Sequence, residues 1–445
     1  SRAISWAKAS KSLPMKLRSR YAVGIIFFCF PSLDCLEFQH VKLTSRCLDG
    51  SPAGFYLNKV SSSDSWTIYM EDGGWCFDEE ECLVKSLTIA GSSKKWPSSR
   101  NDLDGILSES LVDNPDLGQW NKVIVPSCDG SSLSSTRSHV QVNSTSSIWL
   151  EGVKIFEEAI STLIESHNLA QAEQIILAGS GTGGLAVGLH LDRLAKNMRE
   201  KNNFKGLLIG LSDSAFLPDL NSQLMRQVTE RFKSAKLFWQ SVTPEMGCNM
   251  GETEGWRCLF MQEITKKLQN PMYVVQSGYD CEHLKLALAA SKQTLNMTSG
   301  NGFKQVTIGV ENASPSQPAA SPQHESRILN DWAEALLVGT RHVQQSSAQG
   351  IYINRGPYHN QVISNDRSPT TSTAEDDLEE LIRSPQEGAC DIRGGWSKGF
   401  VRVGCQRITL KESFGDWYFS YSWAGEKAEY ATVVEDLSKR ETAEK

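Results

Sequence analysis

The sequence predicts an α/β fold with a mainly parallel central sheet flanked by helices. Three observations carry that prediction. Short aliphatic runs alternate along the chain with longer segments of helical periodicity. One such run, Ile175 to Ala178, passes directly into a glycine turn, Gly179 to Gly184, and then into a helical stretch, Leu185 to Arg199. Several other runs end in loops bearing Asp, His or paired glycines, which is where an α/β sheet keeps its chemistry.

Taken in order, Met15 to Tyr21 is a basic segment and Ala22 to Phe30 an apolar one. The apolar stretch is too short to span a bilayer and fits a secretory signal peptide, with an uncleaved anchor as the alternative. Residues 1–35 are thus read as an N-terminal extension and signal peptide, with Met15 as the start. A single domain is expected over 36–421, with an acidic insert near 364–388 and a charged, frayed tail over 422–445.

Within the domain, Glu37 to Leu48 has no clear period, and Leu48 to Pro52 is a turn cluster. Trp66 to Met70 reads as a strand running into Glu71-Asp-Gly-Gly-Trp-Cys76. Leu103 to Val112 suits a short helix, and Lys122 to Val125 a strand. Val153, Phe156, Ile160 and Leu163 line one helix face ahead of the central strand. Leu207 to Ile209, Tyr273 to Val275 and Ile351 to Ile353 are further strands, and Met225 to Lys236 and Ile328 to Leu337 further helices. Cys248 to Cys258 bounds a loop, and Asn301 to Ser326 reads as a polar surface excursion.

At 445 residues and 40% hydrophobic, the chain can bury a sizeable core. A net charge of −7 without a basic stripe excludes nucleic acid as a partner. Eleven cysteines suit an oxidising compartment and several disulfides, and their spacing fits no zinc pattern. N-x-S/T sequons at Asn143, Asn296 and Asn312 are compatible with glycosylation.

Two chemistries compete for the central turn. Gly179, Gly181 and Gly184 satisfy the dinucleotide pattern G-x-G-x-x-G. That pattern wants an acid about 20 residues later to hold a ribose. Only Glu200 stands near, inside a charged helix end, and Asp213 comes late. The same turn overlays a nucleophile elbow, G-x-S-x-G, with Gly179 and Gly183 as outer glycines. The elbow must be followed by an acid and then a histidine, each at a strand end. Asp280 follows the Tyr273 strand and His359 the Ile351 strand, in that order. Gly73, Gly74 and Trp75, after an earlier strand, suit an oxyanion loop that needs unobstructed backbone N–H groups. The order favours an α/β-hydrolase-like fold.

A family resemblance rests on eight ordered stretches. These are Cys47 to Pro52, Glu71 to Cys76 with Cys82, Asn114 to Asp116 with Trp120 to Val123, Cys128 to Ser132, Ala178 to Asp192, Gly278 to Asp280, Tyr358 to Gln361, and Gly415 to Phe419. On these the chain resembles the pectin acetylesterase family, which includes the Notum carboxylesterases. The resemblance implies hydrolysis of O-acyl esters by a Ser-Asp-His mechanism, foremost of O-acetyl groups on a pectin-like cell-wall polysaccharide. It implies a secreted protein that needs no cofactor and no metal. It implies Asp280 as triad acid, His359 as general base, and an oxyanion hole from Gly74, Trp75 and Thr182.

The chain departs from that pattern at the decisive place. The family's nucleophile position is Gly181, which has no side chain to attack with. Glycine suits the strained backbone of an elbow, so the turn should survive the loss. Ser180 is the alternative nucleophile but precedes the turn tip, so its side chain should point away from His359. The Thr182 hydroxyl is expected to cap the following helix. Cysteines that plant members carry around the histidine are replaced by Gly356 and Asn360. Cys281 suits a disulfide or buried thiol, His190 packing, and Glu375 to Glu380 a solvated face. The sequence therefore leaves two functions open: an esterase with residual or rerouted activity, and a catalytically silenced pseudoenzyme that binds acylated glycan or a lipidated protein.

Overall fold

A computed structural model describes residues 38–101, 103–241, 251–290, 293–300, 303–310, 322–354, 359–363, 400–403, 406–424 and 431–434. The signal segment, the insert at 364–388, Cys248, Cys390, Cys405, Asn312 and Gly356 lie outside these described residues, as does the side chain of Cys281.

In chain order the elements are β1 (Phe38–Arg46), β2 (Pro52–Asn58), β3 (Ser65–Met70), α1 (Glu79–Lys85), β4 (Ser99–Arg100), β5 (Asn121–Val125), β6 (His139–Gln141), β7 (Ser147–Trp149), α2 (Gly152–His167), β8 (Gln174–Ser180), α3 (Thr182–Asn202), β9 (Leu207–Asp213) and α4 (Arg226–Trp239). They continue as α5 (Gly251–Glu254), α6 (Met261–Ile264), β10 (Met272–Ser277), α7 (Cys281–Ala290), β11 (Gln293–Gly300), β12 (Phe303–Val310), α8 (Pro322–Gln345), β13 (Gly350–Asn354), β14 (Phe400–Val403), β15 (Gln406–Thr409), α9 (Leu410–Ala424) and β16 (Thr432–Val434).

Ten strands form one sheet in the order β16-β13-β10-β9-β8-β3-β5-β2-β1-β4. Pairing is parallel from β16 through β5. The remaining strands, β2, β1 and β4, add antiparallel at one edge. Successive side chains of a strand face opposite sides, so one strand feeds two cores. Ile175 and Leu177 of β8 pack with α2, α3 and α4, whereas Ile176 and Ala178 pack with Phe414, Trp417 and Tyr418 of α9. Both faces are covered, which is why the central strands read as unbroken apolar runs.

The helices end where their sequences allow it. Asn168, Asn203 and Gln240 close α2, α3 and α4 in the left-handed conformation. Asp78 starts α1 by accepting from Glu81 N at 2.9 Å.

Four expectations change. Glu37 to Leu48 contains β1, whose weak period reflects its place near the sheet edge with Gln39, Lys42, Thr44 and Arg46 exposed to water. Leu103 to Val112 contains only one 3-10 turn, Gly105–Leu107. Within the expected excursion, Phe303–Val310 pairs with β11 as a hairpin and α8 begins at Pro322. The tail supplies β16, parallel to β13, because Val433 has a buried site to fill.

Candidate active site

The turn between β8 and α3 is as tight as its glycines suggest. β8 ends at Ser180, α3 begins at Thr182, and Gly181 alone lies between them with φ 53° and ψ −118°. Its N–H donates to the Asp213 carbonyl at 2.9 Å. A Cβ on Gly183 would overlap the Met70 carbonyl, and one on Gly184 would lie 2.5 Å from the Asp213 carbonyl. The outer glycines therefore let β3 and β9 approach the elbow, with no need of a nucleotide to explain them.

Loops from three other strand ends converge on this turn. Asp280 follows β10 at the head of α7, where Oδ1 accepts from Glu282 N at 3.1 Å and His283 N at 3.2 Å. His359 follows β13, and its Nδ1 lies 2.9 Å from Asp280 Oδ2. The acid–histidine pair expected from the sequence is thus assembled. The third loop follows β3 and brings Asp72, whose Oδ2 lies 3.0 Å from His359 Nε2. Asp72 lies in the Glu71 to Cys76 stretch, where the sequence assigns it no role. Its signal was a carboxylate placed directly before the glycine pair of the oxyanion loop.

Asp72 fills the space that a side chain at position 181 would need. A Cβ on Gly181 would lie 2.5 Å from Asp72 Oδ1 and 2.7 Å from Oδ2. The N–H groups of Thr182 and Gly74 donate to Oδ1 at 3.0 and 3.1 Å. The Thr182 hydroxyl also donates to Oδ1 at 3.0 Å and accepts from Gly73 N at 3.1 Å. It bridges to the β3 loop instead of capping α3, which starts with no side-chain cap. Two of the three expected oxyanion residues therefore direct their N–H groups at one carboxylate. Trp75 is held nearby by its indole N–H, which donates to Ser132 Oγ at 2.9 Å.

The charges follow from this packing. Burial alone would raise the Asp72 carboxyl. The hydrogen bond and charge of His359, then the N–H groups of Thr182 and Gly74, hold it well below the ordinary value. Burial likewise opposes Asp280, yet His283, His359 and the α7 amide hold it low. For His359, burial disfavours the charged ring, but Asp280 and then Asp72 push it well above the ordinary imidazole value. The site is a buried imidazolium between two carboxylates.

Ser180 is elsewhere. Its hydroxyl donates to Asp213 Oδ2 at 3.1 Å and accepts from the Tyr69 hydroxyl at 2.9 Å, fully buried beneath the turn. Asp213 also accepts from Val362 N at 2.9 Å and from Ser214 Oγ at 2.9 Å. It thereby ties the elbow to the His359 loop, and burial pushes its carboxyl up to about 6. His190 packs as expected, stacked on Phe156 with ring centroids 4.1 Å apart and Nε2 bonded to the Leu133 carbonyl.

A cavity of about 490 Å³ opens over these groups, lined by Asp72, Gly74, Trp75, Phe77, Gly181, Thr182, Arg231, Glu282, His283, Lys285, Leu286 and His359 among others. His283 is buried there with neither ring nitrogen hydrogen-bonded, 6.0 Å from the His359 ring between centroids. Disulfides join Cys47 to Cys128, just beyond β1 and β5, and Cys76 to Cys82, where the β3 loop leads into α1, and Cys258 is disulfide-bonded as well. Among the described residues, no cluster of three or more His, Cys, Asp or Glu could hold a metal ion, and no helix is long and apolar enough to cross a membrane.

A family model described as pectinacetylesterase matches residues 35–379. Pectin acetylesterase 4 of Arabidopsis thaliana is 25% identical over 88% of this chain and 86% of its own length. The human palmitoleoyl-protein carboxylesterase Notum is 29% identical over 66% of this chain, which spans only 62% of that relative. Among solved structures, the Wnt deacylase Notum from Drosophila superposes with a TM-score of 0.63 over 87% of this chain and 94% of its own, at 23% identity, a likeness of fold.

Proposed function

The chain belongs to the pectinacetylesterase family, and from that premise we propose that it binds an O-acylated ligand without hydrolysing it. Members named for their activity are carboxylesterases. Ester hydrolysis on such a scaffold needs an oxygen nucleophile. His359 would take the hydroxyl proton as that oxygen attacks the carbonyl, then return it to the leaving alkoxide, and water would release the acid. The observation that carries the silent reading is the atom facing His359 Nε2: a carboxylate oxygen of Asp72, and no hydroxyl. Gly181 offers no side chain, and the Ser180 hydroxyl is committed to Tyr69 and Asp213. The oxyanion roles of Gly74, Trp75 and Thr182 belong to the same reading, as vestiges of the family's machinery.

The ligand class we favour is an O-acetylated, pectin-like polysaccharide. Arg231, Glu282 and Lys285 line the cavity beside Trp75, Phe77 and Leu286, a mixed setting suited to a short acyl group on a polar sugar. A lipidated protein, the type of substrate named for the Notum relatives, would meet those charges with an apolar tail. An extracellular, cell-wall setting fits the Cys47–Cys128 and Cys76–Cys82 bridges, which persist in oxidising compartments.

The test uses the purified protein with acetylated pectin and with the same pectin after saponification. Calorimetry should detect binding to the acetylated form alone, with no acetate released above buffer. Acetate release that His359→Ala abolishes would overturn the reading.

A further inference from the structure

Asp72 is a polar group in the site whose role neither the fold nor the family mechanism supplies. Its side chain is 22% exposed, so water at the cavity mouth could have solvated it. It turns inward instead and takes four hydrogen bonds: from Thr182 N, Gly74 N, the Thr182 hydroxyl and His359 Nε2. Lys85, half-buried behind the loop with Nζ donating to the Gly73 carbonyl at 2.5 Å, adds positive potential. Two backbone donors, a hydroxyl and an imidazolium around one carboxylate make an anion site, and the chain supplies its own anion.

The same carboxylate occupies the space that a side chain at position 181 would need: a Cβ there would lie 2.5 Å from Asp72 Oδ1, so one of the two would have to move. Gly181 and Asp72 are therefore a matched pair.

We infer that Asp72 is an intramolecular carboxylate ligand of the oxyanion hole, and that this hole takes a free carboxylate, the acid half of an acyl ester, once Asp72 is removed. This rests on the silent reading above but adds a second lock to it. Restoring a serine at position 181 is not enough, because it must contest that space with a carboxylate that four hydrogen bonds hold in the hole meant for the ester oxygen.

The test compares the wild type with Gly181→Ser, Asp72→Ala and the double variant, each checked for folding by circular dichroism. Sodium acetate is titrated while the amide resonances of Gly74 and Thr182 are followed. Hydrolysis of p-nitrophenyl acetate is measured in parallel. Asp72→Ala should bind acetate at least about tenfold more tightly than wild type, an expected loss of competition by a charged internal group. Gly181→Ser alone should stay near wild type, and the double variant should gain roughly 100-fold or more, the scale on which one positioned group acts.

Acetate binding by Asp72→Ala with an inactive double variant still supports the internal ligand, and moves the defect to the scaffold's catalysis. If Gly181→Ser alone matches the double variant, the internal-ligand inference falls while the missing-nucleophile reading stands. Absence of acetate binding in folded Asp72→Ala also overturns it. Should Asp72→Ala not fold, Asp72→Asn keeps the acceptor and the volume. It must then lower the His359 pKa, read by NMR, and an unchanged value overturns the inference.

Discussion

His359 lies between Asp280, 2.9 Å from its Nδ1, and Asp72, 3.0 Å from its Nε2, so one buried imidazole bonds two carboxylates at once. A neutral ring could donate to only one of them, and the other would lose its partner. The protonated ring satisfies both. NMR titration should find the His359 midpoint well above the ordinary value of about 6.5. Asp72→Asn should bring its midpoint down. A His359 that titrates at the ordinary value would mean the two-carboxylate clamp does not persist in solution.

The clamp has a stability consequence with a definite sign. The folded pKa of His359 is raised above the unfolded 6.5, so its contribution is complete below that value and is lost as pH rises through the folded pKa. Asp72 is lowered from 3.8, so its contribution is present above that value and lost as pH falls through the folded pKa. Urea melts of the wild type and His359→Gln should therefore diverge most between about pH 4 and 6.5 and converge at high pH. A divergence that does not shrink once the measured His359 midpoint has been passed would contradict this.

Ser180 separates a structural serine from a catalytic one. Its hydroxyl bridges Tyr69 and Asp213 with no exposure. Ser180→Ala leaves two buried polar groups short of a partner and should cost about 1–3 kcal/mol in denaturant melts. In the Gly181→Ser, Asp72→Ala background it should leave the rate of p-nitrophenyl acetate hydrolysis within about twofold. A large rate loss there, at unchanged stability, would return Ser180 to the chemistry.

Much of the site was readable because strand ends were. Asp280 and His359 each stand a few residues beyond an apolar run, and the parallel sheet brings those ends to one edge. Gly181 was readable because an elbow leaves one position at its tip. Asp72 was missed for a physical reason. Whether a carboxylate beside a glycine pair turns into the site or out to water depends on donors more than 100 residues away, at Thr182 and His359. Asp213 was missed likewise, since its partners come from β8 and from the loop after β13. The central strands were legible from their apolar runs, whereas β1 and β16 at or near the edges carry weaker patterns because water reaches them.

The Cys47–Cys128 bridge closes a loop with a sequence separation of 81. That loop contains β2, β3, the Asp72 segment and β5. A long closed loop gains more from crosslinking than a short one, because the unfolded chain loses more freedom. Replacing both cysteines by alanine should cost about 2–5 kcal/mol, against less for the Cys76–Cys82 pair, whose separation is 6. Thermal melts of the two double variants check the order, and a larger loss at Cys76–Cys82 would show that the short bridge does more than close its loop.

Asp213 gives a prediction with the opposite slope to that of Asp72. Burial raises its folded pKa from 3.8 to about 6, and the hydrogen bonds from Val362, Ser214 and Ser180 only partly offset that. The folded protein therefore holds this proton more tightly than the unfolded chain does. The resulting stabilisation is complete below 3.8 and is lost as pH rises through about 6. A shift of this size corresponds to about 3 kcal/mol across the window. Asp213→Asn keeps a carbonyl oxygen for Val362 N–H, and its amide can donate to a Ser180 or Ser214 hydroxyl that rotates to accept. It carries no charge at any pH, so it should gain on the wild type as pH rises from about 4 to 7, by an amount on the order of those 3 kcal/mol. Urea melts at several pH values read this directly. Parallel curves for the two proteins would mean that Asp213 is already ionised and solvated in the folded state, and that its hold on the elbow and the His359 loop is weaker than its buried hydrogen bonds imply.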